Sequence, residues 1–230
     1  MRRSPTGRWS RVFERFPPGR YALVESVAIT VRDWGKPQPG EARLFTESPF
    51  TRFFYVGPAA LTVIYGSFAA ILLWSGLSSG ISPGRVTASV ATGLAFWTLL
   101  EYVLHRFIFH HTPSSPRQMF LGYLFHGVHH AFPEDRLRWT IPLITSLPVA
   151  ALLTGVSLLA FGPAGAPFMA GVLVGYLAYD LLHYAFHNGS MPSRIGNYLR
   201  KRHLAHHYGV PERNFGVSSP VWDLIFRSGK

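Results

Sequence analysis

Long apolar runs, rather than an alternation of apolar and polar positions, dominate the hydrophobic pattern of this chain. No Lys, Arg, Asp or Glu occurs in the 32 positions from 53 to 84 or in the 41 positions from 139 to 179. The helices of a soluble domain need a polar face toward water, so two uncharged stretches of this length indicate a membrane protein. A spanning helix requires about 20 apolar residues. We therefore predict four transmembrane helices, over approximately residues 57–77, 86–105, 140–161 and 167–187.

Short breaks rich in Gly and Pro separate these helices in pairs. One break covers residues 78–84 and the other covers residues 162–167. Because both breaks are short, each pair of helices is predicted to form a hairpin. Two hairpins place the amino terminus, the 106–139 connection and the carboxyl-terminal tail on the same side of the membrane.

The basic residues predict which side that is. Of the 22 Lys and Arg residues, 21 fall on the side of the termini, and only Arg85 lies in an opposite turn. Since Lys and Arg accumulate on the cytoplasmic side of membrane proteins, we expect both termini and the connecting segments in the cytoplasm. The preference for Arg over Lys and the many Gly, Ala and Pro residues favour a bacterial inner membrane. An endoplasmic reticulum membrane is the eukaryotic alternative.

The first 50 residues differ in character from the remainder of the chain. They are basic, rich in Pro and Gly, and only weakly periodic, and no apolar core of a signal peptide follows Met1. We predict a peripheral amino-terminal arm over residues 1–50 and a membrane domain over residues 51–230.

Composition excludes several classes of site. The chain has no cysteine, which excludes disulfides, thiolate zinc sites, iron–sulfur clusters and thiolate-ligated haem. The net charge of +11 comes from basic residues in the segments that flank the apolar runs, as expected near anionic headgroups. No basic helix interleaved with stacking aromatic residues is present, which argues against nucleic-acid binding.

The histidines are concentrated in the second half of the chain, where all eleven lie between His105 and His207. Ten of them form four groups, namely His105 with His110, His126 with His129 and His130, His183 with His187, and His203 with His206 and His207. The eleventh is His111. Residues three or four apart share one face of a helix, so the members of the last three groups should converge. The first pair is five apart and requires a bend or a helix end.

The predicted topology places all four groups in one layer at the cytoplasmic face. The first and third groups end transmembrane helices, and the other two lie in the connection and the tail. Neutral imidazole suits Zn, Cu, Fe and Ni, and ten ligands are too many for one ion. We therefore predict two ions with about five imidazoles each. Two irons could activate dioxygen for attack on a C–H bond, although the spacing alone fits two zinc ions equally well.

Five sequence motifs carry a resemblance to a known family. They are EYVLHRFIFH at 101–110, HGVHH at 126–130, YDLLHYAFH at 179–187, HLAHH at 203–207 and the trailing FGVSSPVWD at 215–223. In this order they resemble the histidine boxes of the fatty acid hydroxylase and sterol desaturase superfamily. The similarity covers roughly residues 97–226 and is greatest to the fatty acid 2-hydroxylases.

That resemblance implies an enzyme with a di-metal centre, in which the ten grouped histidines are ligands and His111 is not. It implies two irons in the active enzyme, with zinc as an occupant of purified protein, and it implies consumption of dioxygen and two electrons. Eukaryotic 2-hydroxylases often carry a cytochrome b5 domain with a His-Pro-Gly-Gly haem loop. Since no histidine precedes His105, we expect a separate electron donor, either a cytochrome b5, a ferredoxin or a reductase.

Two carboxylates lie one helical turn before a predicted ligand. Asp180 precedes His183 by three positions, and Glu101 precedes His105 by four. Each is predicted to accept the second ring N–H of its histidine and so orient it. A solvated charge at a helix end stays open for both, as does an ion pair of Glu101 with Arg106. The basic residues at 200–202 are interpreted as positive charge on the cytoplasmic side, and substrate-binding residues are not identified.

These observations predict an all-α integral membrane protein. Four transmembrane helices in two hairpins would carry a cytoplasmic helical cap that holds the di-metal site. The expected activity is hydroxylation of a fatty acyl chain, free or within a sphingolipid, with 2-hydroxylation favoured by the resemblance. The enzymatic alternative is a sterol or carotenoid hydroxylase or desaturase. The non-enzymatic alternative is a zinc-binding membrane protein or transporter, although a transporter should carry its ligands near the membrane midplane.

Overall fold

The structure is a computed structural model that describes residues 37, 39–40, 56–112, 114–115, 118 and 121–229. Every regular element in those ranges is helical. The predicted arm over residues 1–50 lies, apart from three positions, outside the described residues.

Seven α-helices are described. They are α1 Pro58–Ser78, α2 Pro83–Val103, α3 Val128–Ala131, α4 Leu143–Phe161, α5 Gly165–Asn188, α6 Arg194–Tyr208 and α7 Val221–Ile225. Two π-helical turns accompany them, Leu104–Phe109 directly after α2 and Tyr123–Gly127 directly before α3. A 3-10 turn, Gly162–Ala164, joins α4 to α5.

Helices α1, α2, α4 and α5 occupy the four predicted transmembrane ranges to within a few residues. Three helical stretches are long and apolar enough to cross a membrane, and the third, Leu143–Asn188, contains 46 residues. This third stretch is not straight, because Gly162 at its middle has a φ of 57°. The hydroxyl of Thr140, which precedes α4, donates to Asp180 near the end of α5 at 2.7 Å. Helices α4 and α5 therefore form a hairpin, and the chain is a membrane protein.

The other hairpin turns where the sequence provides both a stop and a start. Helix α1 ends before Gly80, which has a φ of 78° in the left-handed region that favours glycine. Ser82 begins α2 by accepting a hydrogen bond from the backbone N–H of Arg85, and Pro83 occupies the first helical position. These signals reverse the chain within a few residues.

Helix α5 is the central helix of the membrane domain and packs against α1, α2 and α4. Glycines let the backbones of α5 and α2 come into direct contact. A Cβ atom added to Gly171 would lie 2.2 Å from the carbonyl oxygen of Val90, and one added to Gly93 would lie 2.0 Å from that of Phe168. Such small-residue contacts replace the hydrophobic effect as the means of holding helices together in lipid.

The outward faces of the membrane helices are apolar. Leu159 of α4 is 90% exposed, and Trp74 of α1 is 72% exposed. Other apolar side chains that point outward are Val63, Ile71, Leu152 and Val156. Outward-facing apolar side chains of this kind suit acyl chains and not water.

One end of this helical domain is tied together by polar contacts. Val56, just before α1, accepts a hydrogen bond from the Trp139 indole at 2.9 Å, and its N–H donates to Leu137 at 3.2 Å. Together with the contact between Thr140 and Asp180, these bonds bring the starts of α1 and α4 to the end of α5. The histidines lie at this same end.

Candidate metal centre

The ten grouped histidines come together in two sets of five. Group A comprises His105, His110, His126, His130 and His206, and group B comprises His129, His183, His187, His203 and His207. Within each group one ring nitrogen per residue lies within 4.8 Å of the others. His111 is exposed and belongs to neither group.

Each chain segment is assigned to the groups in a definite way. The π-helical turn after α2 supplies only group A, and the end of α5 supplies only group B. The two segments with three histidines are divided between the groups. In the segment that ends in α3, His129 belongs to group B and its neighbours to group A, whereas in α6 His206 belongs to group A and its neighbours to group B. Positions i+3 and i+4 of a helix differ by roughly 100° in direction. In both segments the histidine at i+4 shares a group with the first histidine and the histidine at i+3 does not, so one helix contributes to both groups.

The five-residue spacing of His105 and His110 is accommodated by the π-helical turn. The N–H of His110 donates to the carbonyl oxygen of His105 at 3.1 Å, an i to i+5 bond. The two rings lie 5.0 Å apart between centroids. The sequence spacing predicted a bend or a helix end here, and the structure has a π-helical turn instead.

In group A, the ring nitrogens that face the centre approach one another closely. Nε2 of His126 lies 3.1 Å from Nε2 of His105 and 3.0 Å from Nε2 of His130. Nε2 of His206 lies 3.0 Å from Nε2 of His110. The five side chains therefore present their nitrogens toward one point.

Two backbone carbonyls fix the tautomer of two of these rings. Nδ1 of His105 donates to the carbonyl of Phe215 at 2.5 Å, and Nδ1 of His206 donates to the carbonyl of Arg213 at 2.8 Å. With the proton on Nδ1, the Nε2 atom carries a lone pair. Lone pairs that face one another are repulsive unless a cation lies between them.

Group B contains buried ring nitrogens with no hydrogen-bond partner. In the part of the chain that the structure describes, these include Nε2 of His129, His183 and His207. Nε2 of His187 and Nε2 of His203 are 2.8 Å apart. A buried polar atom without a partner costs about 1–3 kcal/mol. A metal ion at the centre of each group would satisfy these atoms, so the donor sets fit two metal ions.

The two groups adjoin. The ring of His130 in group A stacks on the ring of His207 in group B, with centroids 4.0 Å apart and planes inclined by 11°. His129 of group B directly precedes His130 of group A in sequence, so neighbouring residues of one short helix belong to different groups.

The imidazoles are held in the uncharged form that binds metals. Burial, and after it the proximity of other imidazoles, lowers the pKa of six histidines outside the membrane-spanning helices well below the ordinary 6.5. These are His126, His129, His130, His203, His206 and His207. All six side chains are therefore neutral at pH 7, with a lone pair available.

Glu101 forms hydrogen bonds with the carboxyl-terminal segment and, among the described residues, with no histidine. Its carboxylate accepts from the backbone N–H of Val217 at 2.6 Å and of Ser218 at 2.9 Å, and from the Ser218 hydroxyl. The ring N–H of His105 goes to Phe215 instead. Arg106 donates to the hydroxyl of Tyr102. Among the described residues it does not form the alternative ion pair with Glu101.

Asp180 is buried beside group B. Its carboxylate accepts from the hydroxyl of Thr140 at 2.7 Å, and that hydroxyl lies 3.2 Å from the Tyr176 hydroxyl. Asp180, one turn before His183 in α5, thus holds the residue Thr140 that precedes α4. The described residues show no hydrogen bond between Asp180 and a histidine ring.

Sequence reasoning missed Asp223 and its contact with Arg202. Asp223 is fully buried and accepts hydrogen bonds from two backbone N–H groups, one hydroxyl and one guanidinium. The guanidinium is that of Arg202, which is buried in this ion pair. Its neighbour Lys201 is exposed. Asp223 lies in the trailing motif, which the sequence marks only by resemblance.

Comparison with known proteins places these features in a family. The family model described as fatty acid hydroxylase matches residues 90–228. The dihydroceramide fatty acyl 2-hydroxylase FAH2 of Arabidopsis thaliana is 37% identical over 169 residues, which are 73% of this chain and 71% of that protein. The fatty acid 2-hydroxylase of Mus musculus is 37% identical over 142 residues, 59% of this chain and 38% of that protein.

A solved structure shares the fold. The structure described as full-length scs7p, with only the hydroxylase domain visible, superposes with a TM-score of 0.81 at 26% identity. The superposition covers 96% of this chain and 88% of that one. The family match spans the last two membrane helices and all ten grouped histidines. The chain therefore belongs to the fatty acid hydroxylase family and is an oxidoreductase.

Proposed function

We propose that this chain is a di-iron, dioxygen-dependent membrane hydroxylase that acts at carbon 2 of a fatty acyl chain, either free or within a sphingolipid. The observation that carries the proposal is the pair of adjoining five-histidine groups. The named relatives, a dihydroceramide fatty acyl 2-hydroxylase and a fatty acid 2-hydroxylase, support the substrate class and the position.

The ten imidazoles of groups A and B are the proposed ligands of two ions, one ion per group. A structural zinc site normally closes with four ligands, often including thiolate, and ten imidazoles with no cysteine suit another purpose. Bound iron, supplied with dioxygen and two external electrons, provides the oxidising power to hydroxylate an unactivated C–H bond. Zinc can occupy the same nitrogens in purified protein.

The chain's own residues prepare this site in two ways. Burial removes water from the ligand rings, since His203 and His206 are fully buried and His105 is 1% exposed. The carbonyls of Phe215 and Arg213 hold two group A rings in the tautomer that directs Nε2 inward. A dry, fixed ligand set reduces side reactions of an activated oxidant.

The surroundings of group A favour a substrate that arrives from the bilayer. Phe107 and Ile108 lie between the ligands His105 and His110 and are 53% and 59% exposed. The same π-helical turn therefore presents ligands on one side and apolar side chains on the other. An acyl chain fits such a boundary, because its methylene groups can stay in contact with apolar surface as the head group reaches the metal layer.

The proposed topology has four membrane crossings, with both termini, the helical cap and the metal centre in the cytoplasm. The distribution of basic residues supports this orientation, because 21 of 22 occur in the sequence segments that are predicted to lie on the histidine side of the membrane. The proposed location is a bacterial inner membrane, or the endoplasmic reticulum in a eukaryote. Residues 1–50 would form a peripheral arm on the same side as the metal centre, ahead of the membrane domain at 51–230.

Electrons are proposed to come from a separate protein, a cytochrome b5, a ferredoxin or a reductase. Such a donor would approach the cytoplasmic cap, where Lys201 and Arg194 of α6 are exposed. Positive charge of this kind attracts an acidic partner.

The direct test is mass spectrometry of lipids from cells that express this chain with a compatible reductase. The intact protein should yield a fatty acyl species heavier by one oxygen, with fragmentation locating the hydroxyl at carbon 2. His187→Ala, in group B, should reduce that product at least about 100-fold, on the scale of losing a metal ligand or its support. His111→Ala, outside both groups, should leave it unchanged. No product from the intact protein, with iron supplied, would refute the proposed substrate.

A further inference from the structure

Among the residues that the structure describes, the segment from Arg213 to Gly229, here named the carboxyl-terminal strap, forms hydrogen bonds with ring nitrogens of only one of the two histidine groups. Its carbonyls at Arg213 and Phe215 accept the Nδ1 protons of His206 and His105, both in group A. In group B, by contrast, the Nδ1 atoms of His129, His203 and His207 are buried with no hydrogen-bond partner in the described part of the chain. The strap therefore supports the two groups unequally.

Asp223 holds the strap in the shape that presents those carbonyls. Its Oδ1 accepts from the N–H of Phe215 at 3.0 Å and from the hydroxyl of Ser228 at 2.8 Å. Its Oδ2 accepts from the N–H of Gly216 at 2.9 Å and from Arg202 at 3.0 Å. One carboxylate thus closes the strap at both ends and, through the Gly216 N–H, fixes the peptide unit that contains the Phe215 carbonyl.

The backbone of the strap has little freedom to present the carbonyls in another way. Asn214, between the two carbonyl residues, has a φ of 59°, and a Cβ atom on Gly216 would lie 2.0 Å from the carbonyl oxygen of Ser219. Glu101 of α2 accepts from the next two N–H groups of the strap, so the segment is anchored to the helix that continues into the π-helical turn with His105.

We propose that Asp223 is a positioning residue for the group A metal ion, acting through the Phe215 carbonyl on His105, and that Glu101 assists it. The group B ion does not depend on the strap in this way. The proposal rests on the metal-binding part of the proposed function. It predicts that damage to the strap removes one metal ion of two.

The test measures zinc bound per chain in purified full-length protein after dialysis against a graded chelator. Zinc is the probe because it has no redox chemistry. Loss of a supporting hydrogen bond typically weakens metal affinity 10–100-fold. At a chelator strength that leaves the intact protein with two ions, Asp223→Asn should retain one. Asp135→Asn is the matched control, because Asp135 is also a buried carboxylate paired with an arginine, Arg138, and it should retain two.

Double variants identify the ion that is lost. Asp223→Asn combined with His110→Ala, a second group A lesion, should still retain about one ion. Asp223→Asn combined with His187→Ala, a group B lesion, should retain almost none. If both double variants lose zinc equally, or if Asp223→Asn alone keeps two ions or loses both, the selective role of the strap is refuted.

A milder variant covers the case in which Asp223→Asn does not fold. Glu101→Gln keeps the shape of the side chain and should weaken only the group A ion, by a factor nearer 10 than 100. If this variant weakened both ions equally relative to the intact protein, or weakened neither, the proposal would be overturned. An intact protein that binds no zinc at all would instead refute the metal-binding function itself, so the two failures are distinguishable.

Discussion

At the scale of single residues, the balance between burial and coordination decides the state of each imidazole. A buried neutral ring without partners is unfavourable by about 1–3 kcal/mol per polar atom, and group B has several such atoms within one small volume. Metal ions turn these unsatisfied lone pairs into bonds. We therefore expect bound metal to stabilise the folded protein, and we expect metal binding to weaken as the pH falls.

Metal removal should lower the stability of the whole protein. An ion present at 100-fold its dissociation constant stabilises the folded state by about 2.7 kcal/mol. Chelation at pH 7.5 should therefore lower the thermal midpoint by several degrees, as measured by tryptophan fluorescence in detergent. A midpoint unchanged by a strong chelator, with metal loss verified, would contradict this expectation.

The pH dependence of the metal-free protein follows from the lowered pKa of the histidines outside the membrane helices. Their folded-state pKa lies below the unfolded value of 6.5, so the unfolded chain binds protons first as the pH falls. Stability is fully present above pH 6.5 and declines below it. The thermal midpoint of the chelated protein should thus be lower at pH 5.5 than at pH 7.5. The stabilisation gained on adding zinc should also be smaller at pH 5.5, because protons compete for the same nitrogens.

At the scale of elements, length and apolarity made the membrane helices predictable, and local hydrogen bonding made part of the site unpredictable. The four predicted spans required only runs of about 20 apolar residues separated by Gly and Pro. The π-helical turn that brings His105 and His110 together was not predictable, since no local sequence signal distinguishes it from an ordinary helix end. The carbonyls of Arg213 and Phe215 were also beyond prediction, because every residue has a carbonyl.

Glycine contacts between α2 and α5 should control how well the two histidine-bearing helix ends align. Gly171→Ala places a methyl group 2.2 Å from the Val90 carbonyl, so the helices must separate. Overpacking of this kind costs about 1–3 kcal/mol. Gly155→Ala in α4 is the matched control, because nothing lies within 4 Å of its added Cβ atom. Thermal unfolding in detergent should show a lower midpoint for Gly171→Ala alone, and equal midpoints would contradict the close packing.

At the scale of the whole molecule, the hairpins gather distant segments into one layer. The ligands come from residues 105 to 207, yet the chain reverses so that the ends of α2 and α5 meet α3 and α6 at one end of the helical domain. The sequence predicted this convergence from topology and spacing together. It did not predict that α3 and α6 would each serve both groups, because that division depends on how each helix is rotated against the membrane domain.

The absence of cysteine from the sequence makes the proposed topology easy to test. Lys201→Cys on α6 and Ser79→Cys after α1 both replace exposed side chains at opposite ends of the domain. In sealed right-side-out bacterial vesicles, a membrane-impermeant maleimide should label the Ser79 variant and leave the Lys201 variant unlabelled until the vesicles are broken. The reverse pattern would invert the topology, and labelling of both from outside would exclude two complete hairpins.

The measurement that tests the central claim most directly is the fate of isotopic oxygen. Purified protein loaded with iron, reconstituted with a fatty acyl or ceramide substrate and an electron donor, should be run under ¹⁸O₂ in ordinary water. We predict a product with one ¹⁸O atom in a hydroxyl group at carbon 2, and no such product from His187→Ala. A hydroxyl that carried ¹⁶O from water, or turnover that survived loss of His187, would contradict a dioxygen-dependent hydroxylase built on these two histidine groups.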